Sequence, residues 1–302
     1  MTVRQEPGRT GLFELIQVSP ALRAALLILP VVLVMGALLA GPLIGMATLS
    51  LAGEANGANP ARWTLANYAE ALGNPLYRRL ILRSLAIAGL VALLSVLLAY
   101  PVACYVAFTP RARRLFWIIA ITVPFWTSYL LRVFAWKVIL GDSGVINTAL
   151  ISLGLIGHPL DALLYSPLSV VITLTHAWLP FAFLPIYASL SAIDPSLLEA
   201  ASDLGDRPFD RFRRIILPLS LPGTMAAAGT IFIPTFGDYV TPSLVGGPDG
   251  LMVANTISTL FGRADDWPLG SALSLVAIAA VSAVSLILIL ASRRAMGARA
   301  FS

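Results

Sequence analysis

The sequence predicts an all-α, polytopic membrane protein with six transmembrane helices. Three observations carry this expectation. The chain has 302 residues, of which 58% are hydrophobic and 12% charged, with mean hydropathy +0.86. A soluble domain averages about 25% charged residues, whereas a bilayer accepts the apolar surface that water rejects. Six runs contain no Asp, Glu, Lys or Arg: 24–53, 84–110, 115–131, 162–193, 215–237 and 268–292. A membrane helix needs about 20 such residues. The remaining charge is gathered rather than scattered: the stretch EAASDLGDRPFDRFRRIILP, 199–218, holds 8 of the 35 charged residues in 20 positions.

Each element follows in order, with a transmembrane domain over 24–292 between an N-terminal segment, 1–23, and a tail, 293–302. The first run is far longer than the roughly 7–15 apolar residues of a signal-peptide core, and no clear cleavage site follows, so it is expected to be retained as a span. The second run holds Cys104, the only cysteine. A lone cysteine excludes an internal disulfide and a CxxC metal or redox site, and it reads as a small core residue. The third run is short and crosses only if it continues past Arg132 to about Leu140. Prolines interrupt the spans at Pro101, Pro124, Pro180, Pro185, Pro222 and Pro234. Each removes a backbone donor, which membrane helices tolerate where neighbours or a water-filled cavity satisfy the freed carbonyls. The expectation is a bundle of bent helices around a path.

Charge placement sets the topology. Thirteen of the 20 Lys and Arg fall in the N-terminal segment, the second loop (Arg111, Arg113, Arg114), the fourth loop and the tail (Arg293, Arg294, Arg299). The positive-inside rule then puts both termini in the cytoplasm. Arg78, Arg79 and Arg83 run against that rule. Distributed this way, the net charge of +5 orients a membrane protein, and no nucleic-acid partner is expected.

The charged stretch then faces the cytoplasm as a loop over 194–218. Its chemistry reads as two short helices. Asp194 is a good N-cap and Pro195 suits the first helical position. Residues 196–204 place Leu197, Ala201 and Leu204 on one face, and Gly205 is a natural stop. A second helix can begin near Pro208. Asp203 with Arg207 and Asp210 with Arg214 have acid-before-base spacing, worth about 0.2–0.5 kcal/mol per pair in a helix. From spacing alone the segment is either a solvated loop or a docking knob for a partner.

The segment resembles the EAA loop of binding-protein-dependent ABC importers. Glu199, Ala200 and Ala201 are followed four positions on by Gly205, then nine residues, then Ile215, Leu217 and Pro218 in an I-x-L-P pattern. The resemblance implies an ABC importer permease (MetI-like) fold whose loop sits in a groove of a cytoplasmic ABC ATPase dimer. Its coupling residues would be Glu199, Ala200, Ala201, Asp203, Gly205, Arg207, Phe209 and Arg211, with Gly205 turning between two coupling helices. Between about Leu80 and Val276 the chain is most similar to the spermidine/putrescine permeases, of the first permease subunit type. LLAYPVACYVA (97–107), VPFWTSYLLRVFAWKVIL (123–140), GDSGVINTAL (141–150), FGDYVTPSLVGG (236–247) and DWPLGSALS (266–274) carry that similarity. It implies a second permease subunit related by a pseudo-two-fold, a periplasmic solute-binding protein, and polyamine transport by alternating access. A P-loop needs a lysine beside glycines. The only lysine, Lys137, sits in FAWKVIL. No cofactor is expected on this chain, which is not expected to be an enzyme; ATP and Mg belong to the ATPase.

A flexible polycation wants carboxylates and aromatic faces. The loops beyond the third and fifth spans and near the sixth offer Asp142, Asp161, Asp238, Asp249, Asp265 and Asp266, and the aromatics near a path include Trp136 and Phe236. The substrate-path candidates are Trp126, Tyr129, Arg132, His176, Trp178, Asp238 and Tyr239, with Asp238 foremost because it follows the fifth span directly between aromatics. Arg132 and Lys137 point the other way. They are expected to pair with Asp142 or Asp238 or to snorkel, and they keep an anionic or zwitterionic solute as the alternative. GDSG at 141–144 raises a serine-hydrolase reading that needs Ser143 beside His158 or His176. No HExxH motif, zinc cluster or catalytic carboxylate pair is present, and no acid lies well inside a span. That absence argues against an ion-coupled secondary transporter.

Overall fold

The structure, a computed structural model, describes residues 20–53, 63–160 and 163–297, with side chains described over 27–53, 63–160 and 163–290. Residues 1–19 and 298–302, together with Arg62 and Asp161, lie outside the described residues.

Among the described residues, five helices are long and apolar enough to cross a membrane. They are α1 (Pro20–Ser50), α3 (Pro75–Phe108), α7 (Pro167–Ser191), α10 (Leu217–Phe236) with its leading turns, and α13 (Trp267–Gly297). The short helix α2 (Ala66–Gly73) leads into α3, which Asn74 caps by accepting from Leu76 N at 2.9 Å. The expected third crossing is not a continuous helix. α4 (Arg111–Thr122) runs into a 3-10 turn over Val123–Trp126. The chain then restarts as α5 (Tyr129–Leu140) and α6 (Val145–Ser152), bent by 85° from the first limb. Pro124 stands in the turn, where it withdraws a donor, and Thr127 and Ser128 are extended (ψ 154° and 135°). A run counted only for missing charge does not register that corner.

The core is the triangle of α3, α7 and α10. α3 turns Ala88, Ala92, Ser95, Ala99, Ala103 and Ala107 inward, all buried. Their spacing of three or four puts small residues on one helix face, which lets backbones close up where lipid supplies no hydrophobic drive. Against them pack Leu174, Phe183 and Ile186 of α7 and Ile231, Phe232 and Phe236 of α10. α7 and α10 meet closely at Gly223, where a Cβ would collide with the Pro185 carbonyl oxygen and with Ser189 Cβ. α1 lies along α13 at the periphery, and the described apolar stretch of α1 is unburied.

Beyond α10 the chain makes an elbow, a π turn over Pro242–Gly246 followed by α11 (Gly247–Gly250), and then α12 (Val253–Gly262). The elbow packs on the start of α7. Buried Ser169 reaches the Val245 carbonyl at 2.5 Å. Gly247, at φ +59°, lies under Tyr165, where a side chain would meet the backbone. Gly246 and Gly247 of FGDYVTPSLVGG therefore serve close packing. At the same end, buried Asn147 donates to Gly141 O (3.1 Å) and accepts from Leu160 N (2.9 Å). GDSG is the tight turn this network holds, since a Cβ on Gly144 would run into two carbonyls of α5. Ser143 is exposed, His158 sits against the Pro159 carbonyl, and His176 lies among aromatics. The serine-hydrolase arrangement is not formed.

Candidate functional site: a coupling loop and a polar aromatic cluster

The charged loop folds as two short helices. α8 spans Pro195–Asp203 and α9 spans Pro208–Arg211, continuing through a π turn, Phe212–Ile216, into α10. Asp194 caps α8 by accepting from Ser196 N at 2.9 Å. Hydrogen bonds from Ser196 hold the Asp194 carboxyl below its usual value, so the cap stays ionised well into acid pH. α8 ends in a Schellman motif: Gly205 N donates to Ser202 O (2.9 Å) and Asp206 N to Ala201 O (3.0 Å), with Gly205 at φ +86°. A Cβ on Gly205 would meet nothing within 4 Å. The requirement there is the left-handed backbone, not space.

Two expectations about this loop are corrected. Neither the Asp203–Arg207 nor the Asp210–Arg214 pair forms. Among the described residues the ion pair is Arg214 Nη1 to Asp206 Oδ1 at 3.1 Å. Asp203 ends α8 and Arg207 lies past the reversal, so four-residue spacing no longer means adjacency. The π turn likewise shifts Arg214 off the face of Asp210 and toward Asp206. Nor do Leu197, Ala201 and Leu204 share one face, because Ala201 is buried while Leu204 is 88% exposed at the C-cap. Glu199, Ala200, Asp203, Gly205, Arg207 and Phe209 are all exposed on the loop, and Arg211 is half-buried. The loop offers a surface of mixed charge with an apolar tip at Leu204 and Phe209.

Sequence reasoning missed how this loop joins the bundle. Phe212 packs edge-on against Tyr100 of α3 at 6.0 Å between ring centroids. The Tyr100 hydroxyl bonds Ser220 Oγ on α10 at 2.6 Å. Loop, α3 and α10 thus meet at one polar-aromatic joint. Its members lie up to 120 residues apart, so no local spacing reveals it.

The second cluster forms where α5 meets α7 and the elbow. The Tyr129 hydroxyl bonds both the Asp238 carboxylate and Thr241 Oγ1. The other Asp238 oxygen accepts from Val240 N (2.8 Å) and Thr241 N (3.3 Å), so Asp238 also starts the elbow. Arg132 stacks over Phe125 (5.2 Å to the ring centroid) and over Tyr129 (6.0 Å), and its Nη1 reaches Ala177 O at 3.3 Å. His176 sits between Phe125 and Trp136, 5.4 Å from each.

Of the path candidates, Tyr129, Arg132, His176 and Asp238 are brought together, with Phe125 and Thr241 as members the sequence did not mark. Trp126 is 84% exposed and stands apart. Trp178 pairs with Phe181 of its own helix. Tyr239 lines a separate cavity of about 470 Å³ between α10, α12 and α13. The expected ion pairs of Arg132 and Lys137 are absent among the described residues: Arg132 rests on rings, and Lys137 Nζ stands 5.7 Å over Tyr165.

The chain has counterparts among known proteins. Residues 99–299 match the family model described as binding-protein-dependent transport system inner membrane component. The chain belongs to that family. This inner-membrane component is 38% identical over 213 residues to the spermidine/putrescine transport system permease protein PotB of Haemophilus influenzae, covering 70% of this chain and 73% of the relative. It is also 38% identical over 228 residues to the inner membrane ABC transporter permease protein YdcU of Escherichia coli, covering 71% and 72%. A crystal structure of a bacterial ABC transporter involved in the import of the acidic polysaccharide alginate superposes with TM-score 0.70 at 18% identity, covering 94% of this chain and 98% of that one. That likeness establishes the fold, that of an ABC importer permease.

Proposed function

We propose that this chain is a transmembrane permease subunit of an ATP-driven importer that moves polyamines of the spermidine/putrescine class across the inner membrane by alternating access. The observation that carries this reading is the EAA-type loop, Glu199 to Pro218, exposed and mechanically joined to α3 and α10. The 38% identity to a spermidine/putrescine permease supports the substrate class. A separate cytoplasmic ATPase dimer, holding ATP and Mg, docks on α8 and α9. A second permease subunit completes the path, and a periplasmic binding protein delivers the solute on the opposite side. Both termini are cytoplasmic in this arrangement. Movement imposed on the loop reaches the bundle through Phe212, Tyr100 and Ser220. It shifts α3 and α10 together, and Asp238 follows two residues after the end of α10 at Phe236.

Asp238 supplies the carboxylate for a substrate ammonium. Asp238→Asn keeps a side-chain acceptor for the elbow, since Asn and Asp cap about equally well, but removes the charge. The expected result is uptake of labelled spermidine lowered by about tenfold, the cost of roughly one charged contact, with the ATPase still co-purifying. Unchanged uptake kinetics would take Asp238 out of the path. Arg132 in the same cluster is what favours an anionic or zwitterionic solute instead, and its surroundings bear directly on that alternative.

A further inference from the structure

We propose that Arg132 is a tethered cation occupying, in the substrate-free protein, the aromatic site that an incoming ammonium group takes during transport. The inference rests on the polyamine reading only for the identity of that ammonium.

A guanidinium within a membrane span normally meets a carboxylate, because leaving the charge unpaired in apolar surroundings is costly. Arg132 does not. Among the described residues no carboxylate lies within 4.0 Å of it. It is held by the faces of Phe125 and Tyr129, at 5.2 and 6.0 Å, and by one long hydrogen bond to Ala177 O at 3.3 Å. Its Nε is buried and has no hydrogen-bond partner. The Ala177 carbonyl is the neighbour of the His176 carbonyl, whose usual donor four residues on is replaced by Pro180.

The surroundings are those of a cation cage. Phe125 and Tyr129 present ring faces, and His176 and Trp136 extend the aromatic wall from Phe125. The Tyr129 hydroxyl is tied to Asp238 and Thr241, so this ring is held in place while its face stays available. Aromatic quadrupoles attract any organic cation and do not distinguish a guanidinium from an alkylammonium. Two cations cannot share the cage, since like charges at that range repel. Arg132 is half-buried on a long flexible stem and weakly bonded, so it can swing out and return. Substrate and Arg132 then exclude one another, and the total charge of the site is conserved as one replaces the other. An arginine beside a polycation path acts here as a gate that refills the site after passage.

The test uses the assembled transporter and tetramethylammonium as probe, with binding followed by titration calorimetry. Vacating the cage in Arg132→Gln, or in Arg132→Met should the first variant not accumulate, is expected to tighten tetramethylammonium binding about tenfold, the size of one to two cation–π contacts. Adding Phe125→Leu to either variant is expected to abolish that gain. Arg132→Lys keeps a tethered cation and is expected to bind the probe as weakly as the parent protein. Equal probe binding in parent and Arg132→Gln would overturn the proposal. So would a gain that survives Phe125→Leu, which would place the probe elsewhere. These outcomes do not depend on polyamine uptake, so a failure of the substrate reading registers separately, as absent spermidine transport by the parent protein.

Discussion

Gly205→Val is expected to cut ATP-driven uptake by at least about tenfold while leaving the amount of chain in the membrane unchanged. The reason is conformational. Gly205 sits at φ +86° with open space around it, and an L-residue pays about 1–2 kcal/mol in the left-handed region, with a β-branched one at the upper end. The Schellman closure from Gly205 N to Ser202 O and from Asp206 N to Ala201 O would open, and with it the Arg214–Asp206 pair. α8 and α9 would no longer present one surface. Gly205→Asn, which tolerates this region, is expected to keep most of the uptake. Equal activity of the Val and Asn variants, measured with matched membrane levels, would show that the turn does not matter.

The second large effect concerns the bundle itself. Gly223→Leu is expected to prevent stable accumulation, or to lower the melting temperature of the detergent-purified chain markedly. Here space is the constraint. A Cβ at Gly223 would collide with the Pro185 carbonyl oxygen and with Ser189 Cβ. Backbone oxygen cannot move aside as a flexible side-chain tip can, and overpacking of this kind costs about 1–3 kcal/mol or more. α7 and α10 would part where Ser189 Oγ now reaches Leu219 O at 3.3 Å. Gly229→Ala on the same helix meets nothing within 4 Å and is the matched control, expected to melt as the parent does. Similar melting of both variants would contradict the close α7–α10 contact.

The two glycines mark what a sequence shows and what it hides. Gly205 was legible because its cause is local: a helix cap at Asp194, a proline at the first helical position and a stop within a dozen residues. The bounds of α8 and α9 follow from the same chemistry. The special position of Gly223 depends on a carbonyl 38 positions earlier in the chain, and nothing nearby announces it. The third span shows the same limit. Its charge-free run and Pro124 were both visible, but the 85° turn lies in the extended backbone at Thr127 and Ser128, residues that carry no strong signal. Tyr129, Arg132, His176 and Asp238 were each marked singly, from charge and aromatic character in apolar surroundings. Their gathering could not be read, because Tyr129 and Asp238 stand 109 residues apart. Charged residues were expected to find partners at helical spacing or of opposite sign. The tertiary fold instead gave Arg214 a partner eight residues away and gave Arg132 the faces of two rings.

ATP-coupled polyamine import through this chain is read out by uptake of labelled spermidine and putrescine. Cells lacking the chain are compared with cells in which it is restored, and with cells restored with Glu199→Ala. Glu199 is exposed on α8, and among the described residues its side chain makes no ion pair, so the substitution is expected to leave the fold intact. The parent gene is expected to restore uptake, and Glu199→Ala, present at the same level in the membrane, is expected not to. Full uptake with Glu199→Ala would contradict coupling through the loop, and restoration that changes neither polyamine would contradict the substrate class.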